Sequence, residues 1–204
     1  MKHVIKILAI SFTLGCKAQS PIIPMYNSPV EETPECYVKD MDNDFNPFVR
    51  EWKWEEGNSS LTLQFQKIEM YHDTSNQYFN FYSDYLIGEY KYIENSNVLV
   101  NTLPVNFAGN PYDNNITGAI ISTSGKREPP CDECAANTRF IWTAFGEPQS
   151  PQLTGRIVMA HFIEKGIEKI RARIYNTGIV NLTADYTGPE ALKVPEGIYT
   201  FIKQ

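Results

Sequence analysis

The chain has 204 residues, 42% hydrophobic and 21% charged, enough for one domain with a sizeable core and too apolar for a disordered chain. Its formal charge of -6 excludes a nucleic-acid backbone as the natural partner, because neutralising phosphates takes a clustered Lys/Arg surface.

The first fifteen residues combine a basic start (Lys2, Lys6), an apolar run over 7–14 and a small residue, Gly15, ahead of Cys16. That is the layout of a secretory signal. The run is too short to cross a hydrocarbon core of about 30 Å, which takes about 20 helical residues. Thr13-Leu14-Gly15-Cys16 resembles the lipobox of bacterial lipoproteins. The resemblance implies a signal peptide over 1–15 and fatty acylation of Cys16, of the palmitate kind, as a membrane anchor, hence a place in the cell envelope. Thr13 and Leu14 stand where lipoboxes usually carry Leu and a small residue. That keeps open cleavage after Ala18, which would release a soluble secreted protein starting at Gln19. Residues 16–44 hold Pro21, Pro24, Pro29 and Pro34 among the acids Glu31, Glu32, Glu35, Asp40, Asp42 and Asp44, which predicts an extended tether. A single domain is expected over 45–204.

From Phe48 onward the apolar period is two. Phe48, Trp52 and Trp54 share one parity, Glu56-Gly57-Asn58 supplies a turn, and Leu61, Leu63 and Phe65 alternate with polar residues, which predicts a hairpin. Further strands are expected at 77–83, 85–94, 98–103, 116–122, 139–145, 153–164, 168–175 and 199–202. Asn95-Ser96-Asn97, Lys165-Gly166 and Asn176-Thr177-Gly178 provide turn chemistry between several of them. The Lys165-Gly166 connection is too short for a crossover, so its strands must be antiparallel. The pattern predicts an all-β antiparallel meander closing into a barrel, with a β-sandwich as the alternative.

Phe48-Val49-Arg50-Glu51-Trp52-Lys53-Trp54, at the start of an all-β chain, resembles the first-strand segment of lipocalin-like barrels, with Arg50 where those families carry Gly. The resemblance implies a Trp at the closed end with an Arg from a late strand, Arg171 or Arg173, packed over it. The whole layout, from the lipobox through Pro21-Ile22-Ile23-Pro24 to the final Phe201-Ile202-Lys203-Gln204, is similar to a family of uncharacterised secreted lipoproteins of Gram-negative bacteria.

Three features carry candidate chemistry. Cys131-Asp132-Glu133-Cys134 is read as a structural disulfide loop rather than a zinc or redox site, because the ligands and the helix context for those are missing. Cys36 is the third disulfide candidate, so the pairing of Cys36, Cys131 and Cys134 stays open. Asp40 to Asp44 imitates part of an EF-hand loop but has Phe45 where Gly is needed. Tyr71 to Tyr92 is dense in aromatics; Tyr78, Phe81, Tyr82, Tyr90 and Tyr92 are the candidate ligand-binding residues, whether as a stacking platform or as a cavity lining. No catalytic residue, metal or cofactor is expected. The preferred expectation is a non-enzymatic binding module for a small amphipathic ligand or an envelope protein. The alternatives are a purely structural protein with a filled barrel and a two-carboxylate glycan hydrolase.

Overall fold

Alternation along the chain becomes a succession of strands whose turns are set by the residues between them. A computed structural model describes residues 21–28, 33–75, 80–123, 125–179 and 187–204. Among these, eleven strands occur: β1 (Ile22–Pro24), β2 (Tyr37–Lys39), β3 (Glu51–Glu56), β4 (Ser59–Asp73), β5 (Phe81–Glu94), β6 (Asn97–Asn101), β7 (Ile116–Ser122), β8 (Phe140–Gly146), β9 (Leu153–Glu164), β10 (Ile167–Ile179) and β11 (Gly197–Lys203). Two 3-10 turns, Asn46–Phe48 and Pro111–Asp113, are the helical elements among the described residues.

Eight strands close an antiparallel barrel in the order β3-β4-β5-β7-β8-β9-β10-β11, with β11 returning to β3 through Ile202↔Lys53 and Lys203↔Trp52. Closure removes most of the open edge that a sheet of this length would expose. The barrel is lipocalin-like and the sandwich alternative falls away. Lys165 and Gly166 both hold positive φ (51° and 82°) in the two-residue β9–β10 hairpin, as do Asn95 and Ser96 (49° and 67°) between β5 and β6. Such loops match the right-handed twist of their strands. Asn176-Thr177-Gly178 is not the expected turn. It is a bulge within β10, with Gly178 at φ 114°, and the strand runs on to pair Ile179 with Leu153. The extra residue is absorbed because the hydrogen-bonded ladder with β9 resumes beyond it.

The segment expected as a tether enters the fold at its described residues. β1 and β2 pair in parallel, β2 adds in parallel to the start of β5 through Tyr37↔Tyr82 and Val38↔Ser83, and Ile23, Cys36 and Val38 are buried. Burial of apolar side chains outweighs a segment's proline content when a sheet edge is available to pair with it. One flank of β5 is thus shared by β2, β7 and β6 in succession, while β4 covers the other.

The barrel interior is filled. Trp52, Leu61, Leu63, Phe65, Leu86, Tyr90, Phe145, Ile157, Met159, Ile170 and Phe201 belong to one contiguous buried cluster. Close packing of this kind is what an eight-stranded barrel accommodates without a ligand. One end is closed by Phe45, Phe48 and Trp52, whose indole Nε1 donates to the Phe48 carbonyl at 2.9 Å. The ring that meets Trp52 there is His161, edge-on at 6.0 Å. Arg171 instead lies over Phe162 and pairs with Glu133, and Arg173 lines the outer wall, so the arginine implied by the resemblance is replaced by a histidine. Both arginines sit on the opposite parity of β10 from the core residues Ile170, Ala172 and Ile174, and alternation sends them outward.

Candidate functional site

Of the five aromatics expected to bind a ligand, the four among the described residues, Phe81, Tyr82, Tyr90 and Tyr92, do not converge. Tyr90 and Tyr92 point into the core: the Tyr90 ring packs on Phe145 at 4.6 Å and its hydroxyl donates to the Gly146 carbonyl at 3.0 Å. Tyr92 donates to Glu94, and burial pushes its phenol up to about 12. Phe81 packs against the small cluster of Ile23, Cys36 and Val38, and Tyr82 stacks on His72 at 4.5 Å. Tyr92 stands ten positions beyond Tyr82, roughly 33 Å along the strand, so the two do not share one small pocket. Tyr78 lies outside the described residues, as does Cys16. The thiols resolve into a Cys131–Cys134 disulfide and a free, buried Cys36.

Two carboxylates are fully buried beside the closed end. A bulge in β4, with Met70 at φ 53°, shifts the register between Ile68 and Tyr71 and brings the Met70 N–H onto Asp84 Oδ1 at 3.0 Å. The same oxygen accepts from the Tyr37 hydroxyl at 2.5 Å, and Oδ2 accepts from the Asp40 N–H at 3.0 Å. Asp40 in turn caps the N–H groups of Asp44 and Phe45. Lys67 supplies the counter-charge, with Nζ 3.1 Å from Asp40 and 3.7 Å from Asp84. Burial alone would push Lys67 down, but the two carboxylates outweigh it and hold the ammonium above the usual lysine range. Each carboxylate is engaged by backbone N–H groups and ties the β2 segment to β4 and β5. The arrangement supports the wall of the barrel and has the character of a fastening.

The acidic loop that imitates a calcium site has its own cation. Arg139 Nη1 stands 2.6 Å from both Asp42 and Asp44, and its guanidinium lies 4.1 Å from the Tyr26 ring. Asp42, Asp44 and Arg139, with Phe48, Asn137 and His161, line a cleft of about 290 Å³ at the closed end. Burial lowers His161 against the opposing pull of Glu168.

A groove of about 390 Å³ opens on the outer wall, lined by Arg127, Arg173, Tyr175, Glu196, Gly197 and Ile198, with Ile174 contributing at its floor. Its rim is the segment joining β7 to β8, which carries the disulfide. That segment is clasped to the wall by Arg171 Nη2, which reaches both Glu133 oxygens at 2.9 and 3.0 Å, and by Ser122, which donates to Glu128 at 3.0 Å. Arg127 from the same segment places its guanidinium 4.9 Å from the Tyr175 ring centroid. Val158 and Ala160, on the outward parity of β9, are as buried as Ile157 and Met159 on the inward parity, with Trp142, Arg171 and Arg173 as their cross-strand neighbours on that face.

Sequence reasoning passed over the Asp84 fastening, although a carboxylate on the inward parity of Leu86, Tyr90 and Tyr92 was a signal that a partner had to exist. The groove left no comparable trace, because Arg127 sits in an aperiodic segment and Arg173 reads as an ordinary outward strand residue. Comparison with known proteins finds no match among curated proteins and none among solved structures. The model of a family of unknown function, DUF6705, matches residues 1–204, and the chain belongs to that family.

Proposed function

We propose that the protein is an exported, lipid-anchored component of a bacterial cell envelope that acts without catalysis, as a binding module whose recognition surface is the outer wall of its barrel. The observation that carries this reading is the contrast between a filled interior and an open outer groove. Large buried side chains occupy the volume where a lipocalin-like barrel would hold a ligand, whereas the outer groove offers charged, aromatic and aliphatic groups side by side. The buried acids Asp40 and Asp84 are held by backbone N–H groups and Lys67, which suits a structural task better than proton transfer. The filled interior also favours a second reading, a purely structural envelope protein.

The anchor rests on the resemblance of Thr13-Leu14-Gly15-Cys16 to a lipobox. Its test is the intact mass of the mature protein from a native membrane fraction beside that of Cys16→Ala. An acylated chain beginning at Cys16, lost in the variant, is the expected result. A soluble chain beginning at Gln19 would remove the anchor and leave a secreted binding protein. Saturable binding at the outer groove, abolished by substitution of its lining, would favour the binding reading over the structural one.

A further inference from the structure

We infer that the outer-wall groove between β10, β11 and the disulfide-bearing segment is a binding site for the oxyanion head of an amphiphile, a phosphate or carboxylate carried on an apolar chain. The inference rests on the binding reading above and gives it a ligand class.

The chain has six arginines, and they divide into two groups. Arg50 pairs with Glu168, Arg139 with Asp42 and Asp44, and Arg171 with Glu133. Among the described residues no carboxylate lies within ion-pair distance of the other three, Arg127, Arg156 and Arg173. Arg127 and Arg173 line the groove together, and Arg156 stands beside it in register. Arg173 and Tyr175 are outward neighbours on β10, Arg156 is the cross-strand partner of Tyr175 on β9, and Arg127 lies over the Tyr175 ring. In a chain whose acids outnumber its basic residues by 24 to 18, two groove-lining guanidiniums without an ion-pair partner among the described residues, Arg127 and Arg173, make a local positive field.

Arg173 is the most demanding of the three. Its Nε is buried and has no hydrogen-bond partner, and leaving a buried charged donor unsatisfied is costly in the empty site. Register sets its Cα between Val158 on β9 and Ile198 on β11, on the outward face of the wall. Arg127 is held beside the Tyr175 ring, its guanidinium carbon 4.9 Å from the centroid, at the rim of the groove. A guanidinium fork presents donors in the geometry of a phosphate or carboxylate. The one acid in the lining, Glu196, accepts from the Asn176 N–H through Oε1 at 2.9 Å, which places the head on the Arg127 and Arg173 side of the groove.

The apolar half is on β11. Ile198 is 45% exposed and Ile202, on the same outward face, is 46% exposed. Ile198, which lines the groove, gives a chain attached to the head an apolar surface to lie on, with Ile202 further along the same face of β11. The groove volume falls at the lower end of the range for small-molecule sites, about 300–1,000 Å³.

The test is titration of the purified full-length chain with dodecyl phosphate below its micellar concentration, with inorganic phosphate, and with dodecylphosphocholine, in which the phosphate is masked by a cationic group. Dodecyl phosphate is expected to bind, inorganic phosphate to compete more weakly, and dodecylphosphocholine to bind at least about tenfold more weakly than dodecyl phosphate. Arg127→Met and Arg173→Met, which keep an apolar stem, should each weaken dodecyl phosphate at least about tenfold, the scale of one lost charge-assisted hydrogen bond. Arg173→Lys should restore binding only in part, because it returns charge without the fork. Arg50→Met, on a paired arginine, should leave affinity unchanged. Thermal unfolding of each variant separates loss of the site from loss of the fold.

Dodecyl phosphate binding that survives both methionine variants would overturn the groove while leaving the binding reading intact. Equal affinities for inorganic and dodecyl phosphate would overturn the amphiphile assignment. No binding of any probe by the folded chain would overturn the groove as an oxyanion site, while the binding reading, which also admits a protein partner, would stand.

Discussion

Lys67→Met isolates the fastening that joins the β2 segment to the barrel. The substitution keeps most of the stem and removes the ammonium facing Asp40 at 3.1 Å and Asp84 at 3.7 Å. At an effective dielectric of about 20 those attractions amount to roughly 5 and 4.5 kcal/mol before desolvation. Desolvation of the ions cancels much of that sum, yet removing one partner strands the other charges, and the net loss expected is about 3–5 kcal/mol. Urea unfolding followed by tryptophan fluorescence, to which buried Trp52 contributes beside Trp54 and Trp142, reads this directly. With a slope of about 2 kcal/mol/M, the midpoint should fall by roughly 1.5–2.5 M. Lys67→Met combined with Asp84→Asn should cost at least about 1 kcal/mol less than the sum of the two single changes, since the partners are in contact. A single-variant loss under about 1 kcal/mol, or strict additivity in the double variant, would refute the claim that the ammonium holds two buried carboxylates together.

Acid should loosen a second site on the outer wall. Burial pushes the Asp73 carboxyl up, but hydrogen bonds from Tyr112, Tyr85 and Ser75 outweigh it and hold it at about 2 against an ordinary 3.8. The unfolded chain therefore takes up this proton first. The stabilisation is complete above about pH 5 and is lost as pH falls towards 2, about 2 kcal/mol in all. Replacing Tyr85 and Tyr112 by Phe should reduce the fall in urea midpoint between pH 5 and pH 2.5, and an unchanged fall would count against the assignment. Gly118→Ala should destabilise by about 1–3 kcal/mol, because a Cβ there would stand 2.4 Å from the Trp142 carbonyl oxygen and 2.7 Å from Thr143 Cα, both on the β8 backbone; a neutral effect on thermal unfolding would show that the strands part easily. Replacing Cys131 and Cys134 by Ser opens a loop whose ends are only 3 residues apart, so the loss should not exceed about 2 kcal/mol. Amide exchange over 125–139 should rise more than elsewhere, and a larger global loss would show that the bond supports the barrel itself.

The barrel strands were legible because one face of each is dry and the other wet, and because Gly57, Asn95-Ser96 and Lys165-Gly166 announce their turns. β1 and β2 were not, since three residues carry too little periodicity to distinguish a strand from a proline-rich tether. The bulges at 68–71 and 176–178 were hidden for a related reason: an inserted residue exchanges the faces of the residues beyond it, and the sequence does not say where the ladder resumes. The aromatic run of β5 was visible, but its allocation to core or surface was not. Tyr90 and Tyr92 satisfy the same propensity whether they face a cavity or fill it, and only the opposing Phe145 and Leu61 decide. The groove depended on a pairing census, on which arginines found acids and which did not. That is a property of the folded surface and leaves little mark on local sequence.

The insertion of β1 and β2 against β5 has a consequence for distance. An acylated Cys16 on a free tether reaching to residue 44 would leave the domain roughly 100 Å of leash at full extension, whereas the chain is already fastened from Pro21, leaving roughly 18 Å. An anchored barrel on so short a leash would ride against the bilayer, sampling a few headgroups' width of surface instead of sweeping the space above it. What it meets would be decided by lateral diffusion in the membrane plane.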